Sequence, residues 1–251
     1  MSATPIELDQ DSTPLVDAME EASSRVRAPF FFPGHKMGSG APNRFVDVIL
    51  GGRAYTMRYD LPELPELDNL FAPEGPIRDA EMLAAKAFGA AKTWMLANGS
   101  TAGVLASILV CVQWHQTQHE TGSITAGRVG SNRPMSGRKG HGVRSRRRSI
   151  IVLPRDAHKS AVHALVLCGA TPCFIAPQRD PHSGVSLGMT TASIEEALEE
   201  HGEQVAGVFM VSPTYEGVCA DIAAAAEVCH EAAVPLVVDE AHGAHLSFLG
   251  D

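Results

Sequence analysis

An acidic residue follows an apolar segment near the end of the chain. Residues 235–239 read PLVVD, and Asp239 is followed by Glu240, Ala241 and His242. Such an apolar run predicts a strand buried on both faces, and ligands of parallel sheets gather at the carboxyl ends of the strands. A carboxylate at that position is costly unless it pairs with a cation. Asp239 is therefore a candidate to bind either the protonated ring nitrogen of a heterocycle or Mg²⁺ in a nucleotide-driven motor.

The motor interpretation rests on the Asp-Glu-Ala-His tetrapeptide after an apolar strand, which helicases also have. Such a motor needs a phosphate-binding loop of the form G-x-x-x-x-G-K-[ST]. No Gly-Lys dipeptide occurs anywhere in the chain, and in helicases this loop precedes the Asp-Glu-Ala-His strand. The sequence therefore favours an ion pair between Asp239 and a ring nitrogen.

A second motif, Asn98-Gly99-Ser100-Thr101, lies where a helix is predicted to begin. Gly99 permits a tight turn, and the start of a helix offers free N–H groups and the positive end of the helix dipole. Together with two hydroxyl groups, these features suit a phosphate. The alternative is an ordinary capped helix start.

His158 follows an apolar segment, SIIVLP, and therefore lies at the carboxyl end of another predicted strand. It is either a histidine at the exposed start of a helix or an aromatic plate stacked on a planar ligand. Tyr215 and Glu216 follow a third buried strand and face the same edge of the sheet, unless they only form a turn.

Metal binding is not predicted. His115 and His119 have the i, i+4 spacing of helical metal ligands, but no third ligand is evident near them. His242 and His245 lack such support as well, whereas a zinc site needs three or four protein ligands.

Alternating strands and helices position these residues. The pattern predicts strands at 149–154, 171–176, 205–211 and 235–239. Between them it predicts helices at 157–167 with Gly169 as the C-cap, from Ser193 with Glu196 completing a capping box, and at 221–233 with Asp221 as the N-cap. Upstream it predicts a helix at 80–88, a strand at 93–97 and a helix at 100–113. Strand–helix alternation indicates an α/β fold with a parallel sheet and right-handed crossovers.

Two segments depart from this alternation. Residues 1–76 are predicted to form an N-terminal arm and an irregular segment, because 29–76 is rich in Pro and Gly, and residues 77–251 form the α/β domain. Residues 117–148 contain eight basic residues and one acidic residue, although the chain as a whole has a net charge of −9. With few apolar side chains, this segment is predicted to be a disordered insertion, either a tolerated surface loop or a basic docking arm.

Composition limits the class of protein. The acidic body argues against nucleic-acid binding, and no apolar run approaches the roughly 20 residues that span a bilayer. The N-terminus lacks the pattern of a secretory signal. Five scattered cysteines without a Cys-x-x-Cys pair indicate a reducing compartment. We therefore expect a cytoplasmic protein, with organellar targeting left open.

These pieces, in this order, resemble the major domain of the ornithine/lysine/arginine decarboxylases. That family consists of pyridoxal 5′-phosphate (PLP) enzymes with the aspartate-aminotransferase-like fold (fold type I). The resemblance covers nearly the whole chain apart from 117–148. It rests on Pro33-Gly34-His35-Lys36, on DLPELPELDNLFAPEGP at 60–76, on AFGA and NGSTAG within 84–103, and on PRDAHKSAVHAL, SPTYEG and VVDEAHGAH.

The resemblance implies a three-layer α/β/α fold with a mostly parallel sheet, the PLP-dependent transferase-like large domain, incomplete at the C-terminus. It also implies a role for each matching residue. Ser100 and Thr101 are phosphate ligands, His158 stacks on the pyridine ring with Ser160 nearby, Asp239 pairs with the ring nitrogen, Ala241 and His242 line the ring pocket, and Thr214 is a less certain pocket residue.

The family holds PLP covalently on a lysine in a Ser-x-His-Lys motif, and the sequence ends at Asp251, before that motif. The five lysines present are Lys36, Lys86, Lys92, Lys139 and Lys159. Lys159 follows His158 directly, but adjacent helical residues point about 100° apart. We therefore expect no lysine that bonds to the cofactor, and a chain that is a fragment, a truncated gene model or a degenerate paralogue.

By resemblance, the expected function is decarboxylation of lysine, arginine or ornithine to a polyamine precursor and CO₂. The alternatives are another PLP reaction on the same fold, such as that of an aminotransferase or a lyase, and a non-catalytic truncated paralogue, since a fold alone does not specify a reaction. The expected partners are a basic amino acid and a second copy of the chain in a homodimer or higher homo-oligomer, without nucleic acid or membrane.

Overall fold

The computed structural model describes residues 9–25, 28–126 and 148–249. The chain divides into two compact units, Met1–Met95 and Leu96–Asp251. The boundary therefore falls after Met95, whereas the sequence placed it at 76. None of the helices in the described ranges is both long and apolar enough to cross a membrane.

The first unit is helical where it is regular. Helix α1 packs against α3, while most of the predicted irregular segment, 29–76, lacks regular structure. The regular elements of this unit are α1 (Pro14–Ser24), α2 (Asn43–Val48), a 3₁₀ helix (Ala54–Tyr59) and α3 (Pro76–Ala87).

The carboxylate of Asp68 organises the turn that leads into α3. Its oxygens accept hydrogen bonds of 2.7–3.3 Å from five backbone N–H groups, those of Asn69, Glu74, Gly75, Ile77 and Arg78. Burial acts to raise the pKa of Asp68, but the backbone donors outweigh it and lower the pKa from 3.8 to about 2. The charged form of Asp68 therefore stabilises the start of α3.

Replacing Asp68 with alanine is expected to lower the free energy of unfolding at pH 7 by about 1–2 kcal/mol, the usual cost of a lost helix cap. Because the pKa is lower in the folded state, the stabilisation is complete above pH 3.8 and is lost as the pH falls toward about 2. Urea unfolding from pH 2 to pH 7 measures both effects. Asp47, which is exposed on α2, provides the control substitution Asp47→Ala. Equal losses in the two variants, with the same pH dependence, would show that the Asp68 contacts stabilise nothing.

The second unit is built on a four-stranded sheet in the order β2-β1-β5-β6, and every neighbouring pair in it is parallel. A short antiparallel pair, β3 and β4, stands apart from this sheet. The elements are α4 (Gly99–Ala126), β1 (Ile150–Pro154), α5 (Lys159–Cys168), β2 (Thr171–Ile175), β3 (Gln178–Arg179), β4 (Ser186–Gly188), α6 (Thr191–His201), β5 (Val205–Val211), α7 (Ile222–Glu231) and β6 (Leu236–Asp239), with 3₁₀ turns at Gly202–Gln204 and Leu246–Phe248.

Helices cover both faces of this sheet, because its central strands are apolar on both sides. Helices α4 and α5 pack on one face through Ile108, Val112, Ile151, Leu153, Ala164 and Phe209. Helices α6 and α7 pack on the other through Val152, Ile194, Val208, Met210, Ala225 and Cys229. This arrangement confirms the predicted α/β class and the three-layer architecture of the fold type I expectation.

Four of the five cysteines, Cys111, Cys168, Cys173 and Cys229, take part in this packing, whereas Cys219 is exposed. All five are free, and burial raises the pKa of Cys229 to about 11. A thiol with such a pKa is protonated at neutral pH and behaves as a small apolar group.

One of the predicted elements is wrong and another is wrong in part. Residues 93–97 do not form a strand, and Trp94 and Leu96 are 62% and 47% exposed. No strand in the described ranges pairs with them, and an isolated extended segment is not stable. Helix α4 continues to Ala126, so 117–126 is helical rather than a loop. A helix that has formed gains one hydrogen bond per added residue, and no proline interrupts this stretch. The rest of the predicted insertion, 127–147, lies outside the described residues.

The start of α6 also differs from its prediction. The capping box is formed by Thr190 and Ser193, whose side chains each accept from the other residue's N–H at 3.2 Å. The sequence assigned these two roles to Ser193 and Glu196. In the usual capping box a Glu or Gln side chain at the third helical position accepts the backbone N–H of the N-cap residue, and here the hydroxyl of Ser193 accepts it. By contrast, Asp221 is the N-cap of α7, as predicted.

Candidate functional site

A cavity of about 340 Å³ opens at the carboxyl edge of the parallel sheet. Its walls come from the start of α4 and from the segments that follow β1, β5 and β6. The lining residues are Ser100, Thr101, His158, Val211, Tyr215, Asp239, Ala241 and His242. The fold therefore brings together all the predicted site residues named above as cofactor ligands except Ser160.

Ser100 and Thr101 occupy the first turn of α4, whose first residue, Gly99, has φ 65°. A side chain at Gly99 would be strained in this left-handed conformation. Both residues are exposed, and N–H groups in the first turn of a helix have no partner within the helix. This edge of the cavity therefore carries hydrogen-bond donors and the positive end of a dipole, which suit an anionic group.

Asp239 is the last residue of β6 and faces the cavity as a half-buried carboxylate. Its backbone is held in the sheet, because its carbonyl oxygen accepts from the N–H of Ser212 at 3.1 Å. One carboxylate oxygen accepts from the N–H of Ala241 at 3.1 Å. No Lys, Arg or His in the described ranges forms an ion pair with this carboxylate. Asp239 is thus fixed in place and available to a cationic ligand.

His158 precedes α5 and is its N-cap residue. Its Nδ1 accepts the backbone N–H of Ser160 at 3.3 Å and lies 2.9 Å from the Ser160 hydroxyl oxygen. The side chain of His158 lines the cavity, whereas Ser160 is buried and does not. The structure therefore places Ser160 in contact with His158 rather than with the cavity itself.

Two loops meet at one side of the cavity. The rings of Tyr215, after β5, and His242, after β6, are 5.4 Å apart between centroids and tilted by 58°. Beneath them Gly243 is buried against Pro213: a Cβ on Gly243 would lie 2.5 Å from the proline Cδ. The close approach of the two loops therefore depends on a glycine at this position.

Replacing Gly243 with alanine is expected to push the two loops apart and to lower the free energy of unfolding by about 1–3 kcal/mol, the usual cost of overpacking. Thermal unfolding measures the loss. The control is Gly34→Ala, where the added methyl would meet nothing within 4 Å. A Gly243→Ala chain as stable as the Gly34→Ala chain would mean that the loops adapt without strain.

Val211 and Tyr215 line the cavity, although sequence reasoning left Val211 out and treated Tyr215 only as a rim candidate. Val211 pairs in register with Asp239 on the neighbouring strand. Once both residues are recognised as strand ends of one parallel sheet, their common position at the carboxyl edge follows. The sequence feature that could have identified Val211 is therefore its position at the end of an apolar strand. No chemical motif marks this residue.

Thr214 was the less certain pocket residue, and it lines a small neighbouring recess together with Asp156. Its side chain is buried and its Oγ1 accepts from the N–H groups of Glu216 and Val218, both at 3.3 Å. The hydroxyl of Ser186 donates to Asp156 at 2.6 Å. These contacts shape the loops around the cavity.

None of the lysines in the described ranges lines the cavity, and Lys159 is exposed at the start of α5. Over the part of the chain that the structure describes, no three His, Cys, Asp or Glu side chains cluster as metal ligands. His115, one of the spaced pair, is buried, with Nδ1 at 3.1 Å from the Ser149 hydroxyl and Nε2 at 2.9 Å from the Glu203 carbonyl oxygen. These contacts tie α4 to the starts of β1 and β5.

The fold is thus that of an α/β domain, and its cavity lies at the carboxyl edge of a parallel sheet, where such domains commonly bind ligands. A family model described as "Orn/Lys/Arg decarboxylase, major domain" matches residues 13–117 and 123–250. The chain belongs to this family.

Curated relatives carry decarboxylase names. The chain is 35% identical to an arginine decarboxylase from Bacillus subtilis over 242 residues, which cover 96% of this chain and 42% of that protein. It is 26% identical to a lysine decarboxylase from Pseudomonas aeruginosa, over 94% of this chain and 29% of that one. A solved structure, the constitutive lysine decarboxylase of Escherichia coli, is 21% identical, with a TM-score of 0.49 over 81% of this chain and 25% of that chain. The chain thus spans less than half the length of these relatives.

Proposed function

We propose that this chain binds PLP in the cavity at the carboxyl edge of its sheet, as the cofactor-binding part of a decarboxylase of basic amino acids. The observation that carries this proposal is the carboxylate of Asp239, which no described cation neutralises, in one cavity with Ser100, Thr101 and His158. A ligand that suits these groups together has a cationic ring and an anionic tail.

The residues present fit PLP group by group. The first turn of α4, with Ser100 and Thr101, would hold the phosphate through N–H groups and hydroxyls. His158 would lie against the ring, and Asp239 would keep the ring nitrogen protonated. Ala241 and His242 would complete the pocket. When bound, PLP supplies an electron sink for the charge left when a carboxyl group departs from the substrate. The protein's contribution is then orientation and a fixed negative charge at the ring nitrogen.

The proposed substrates are lysine, arginine or ornithine, and the proposed products are CO₂ and the corresponding polyamine precursor. The names of the relatives, which are arginine and lysine decarboxylases, support this substrate class. The proposed setting is the cytoplasm, and the proposed assembly is a homodimer or higher homo-oligomer, without nucleic-acid or membrane partners.

Cofactor binding to this chain is proposed to be non-covalent. Among the residues that the structure describes, no lysine lines the cavity, and Lys159 is exposed outside it. Reduction of the PLP-loaded chain with borohydride should therefore leave Lys159 unmodified in the peptide mass spectrum. A pyridoxyl group on Lys159 would contradict this proposal.

The test of the proposed function is a titration of the purified chain with PLP, followed by cofactor absorbance, with pyridoxal as the comparison. Pyridoxal lacks the phosphate, so it should bind about tenfold or more weakly if the start of α4 holds that group. Equal affinity for the two compounds, or none for PLP, would refute the assignment of the cavity.

The reaction is tested by product analysis after incubation with PLP and lysine, arginine or ornithine. Release of CO₂ together with a diamine or agmatine supports a decarboxylase. A keto acid would instead support the aminotransferase alternative, and no product despite PLP binding would support a non-catalytic chain.

A further inference from the structure

Among the described residues, Ser160 alone forms hydrogen bonds with the imidazole of His158. Its Nδ1 receives the backbone N–H of Ser160 at 3.3 Å, as the N-cap of α5, and lies 2.9 Å from the Ser160 hydroxyl oxygen. A ring nitrogen that accepts a hydrogen bond carries no proton, so in the neutral ring the proton is on Nε2. The two donors of Ser160 therefore select one tautomer of His158.

The hydroxyl contact is the shorter of the two. Ser160 is only 1% exposed, and among the residues that the structure describes its hydroxyl has no other partner than Nδ1. A serine hydroxyl rotates to suit its acceptor, so burial next to Nδ1 directs its proton to that atom. Rotation of the imidazole by 180° would replace this acceptor with a carbon and leave the buried hydroxyl unpaired, which is costly.

We propose that Ser160 is a positioning residue, which holds the His158 ring in one orientation with its proton on Nε2. In this state Nε2–H has no hydrogen-bond partner in the described ranges and is available as a donor to a ligand in the cavity. The link to PLP rests on the proposed function, because His158 lines the proposed cofactor cavity. The proposed orientation and tautomer of His158 depend only on its hydrogen bonds with Ser160 and not on the proposed function.

The proposal assigns Ser160 a role different from a direct contact with the cofactor. A direct ligand has to line the cavity, and Ser160 does not. Its effect on a bound ring would therefore pass through His158. Loss of the hydroxyl leaves the backbone N–H of residue 160, at 3.3 Å, as the remaining donor to Nδ1. This longer contact alone restrains the imidazole less, so the ring orientation that caps α5 becomes only partly populated.

The test is ¹⁵N NMR of the ligand-free chain with labelled histidine, where long-range couplings distinguish the two tautomers. The variant His158→Asn removes the signal and so assigns it. The wild-type chain should show His158 with its proton on Nε2, and Ser160→Ala should show a mixture of tautomers. Ser160→Thr, which keeps the hydroxyl, should restore the wild-type spectrum.

PLP affinity should fall about two- to tenfold in Ser160→Ala, in proportion to one hydrogen bond.

The matched control is Asp221→Ala, which removes the side-chain cap of α7 without touching His158. It should lower stability but leave the His158 spectrum and PLP affinity unchanged. A wild-type His158 with its proton on Nδ1, or the same tautomer and affinity in Ser160→Ala as in the wild type, would overturn the proposal. If Ser160→Ala fails to fold, the wild-type spectrum still tests the proposal, because it shows which nitrogen of His158 carries the proton. The expected tautomer change in a chain that binds no PLP would refute the proposed function and leave the positioning role supported.

Discussion

Replacing Asp239 with alanine is expected to lower the PLP affinity of the chain about 10- to 100-fold and, in a full-length protein that contains this chain, to abolish the proposed PLP-dependent decarboxylation. The carboxylate is half-buried at the end of β6 and has no described cationic partner. A ring nitrogen bound beside it would form a charge-assisted pair. Without that negative charge, the ring nitrogen would lose its proton more readily and would withdraw electrons less effectively.

The matched variant Asp239→Asn separates charge from shape. The amide oxygen keeps an acceptor for the N–H of Ala241, which Asp239 now receives at 3.1 Å, so the loop after β6 should stay in place. Affinity and activity should nevertheless fall nearly as far as in Asp239→Ala. Glu240→Ala removes a neighbouring exposed carboxylate and should change neither. Full activity in Asp239→Asn would refute the assignment of Asp239 to the ring nitrogen.

Replacing His158 is expected to weaken PLP binding about 2- to 12-fold, the value of a stacked aromatic contact. Two variants divide the effect, because His158 is also the N-cap of α5. His158→Ala loses both the ring and the cap, so its free energy of unfolding should also fall by about 1 kcal/mol. His158→Asn keeps a side chain that caps helices well, so it should lose affinity while its stability is preserved.

PLP titration and urea unfolding of the two variants measure these changes. His163→Ala is the control, since His163 is an exposed histidine on the same helix. It should match the wild type in both measurements. If His158→Asn bound PLP as tightly as the wild type, His158 would be only a helix cap.

The elements of the second unit could be predicted where local chemistry and burial agree. The strands that became β1, β5 and β6 are apolar runs, and Gly169 and Asp221 end and begin helices as their residue types suggest. Prediction failed where an element forms only if a neighbouring strand pairs with it. Residues 93–97 have the composition of a strand, but strands need neighbours to satisfy their backbone hydrogen bonds, and these residues have none among the described strands.

The candidate site was predictable to the extent that parallel strands place their carboxyl ends together. That rule, together with the resemblance to a decarboxylase family, assigns Asp239, His158, Ser100 and Thr101 to one edge of the sheet from the sequence alone. The resemblance also made Ser160 a candidate cofactor ligand, although a residue two positions from His158 can face either the cavity or the core. The helix start at Lys159 turned Ser160 into the core and onto Nδ1 of His158.

The sequence by itself determined the class of fold, the order of the elements and the chemical types that meet at the cavity, because these follow from apolar periodicity and from residues at strand ends. Tertiary structure alone decided that the rings of Tyr215 and His242 come within 5.4 Å, that Gly243 packs against Pro213, and that the Asp239 carboxylate is left without a described cation. These facts depend on distances between segments far apart in the chain. Such distances are set by packing of the sheet and its loops, and local sequence does not encode them.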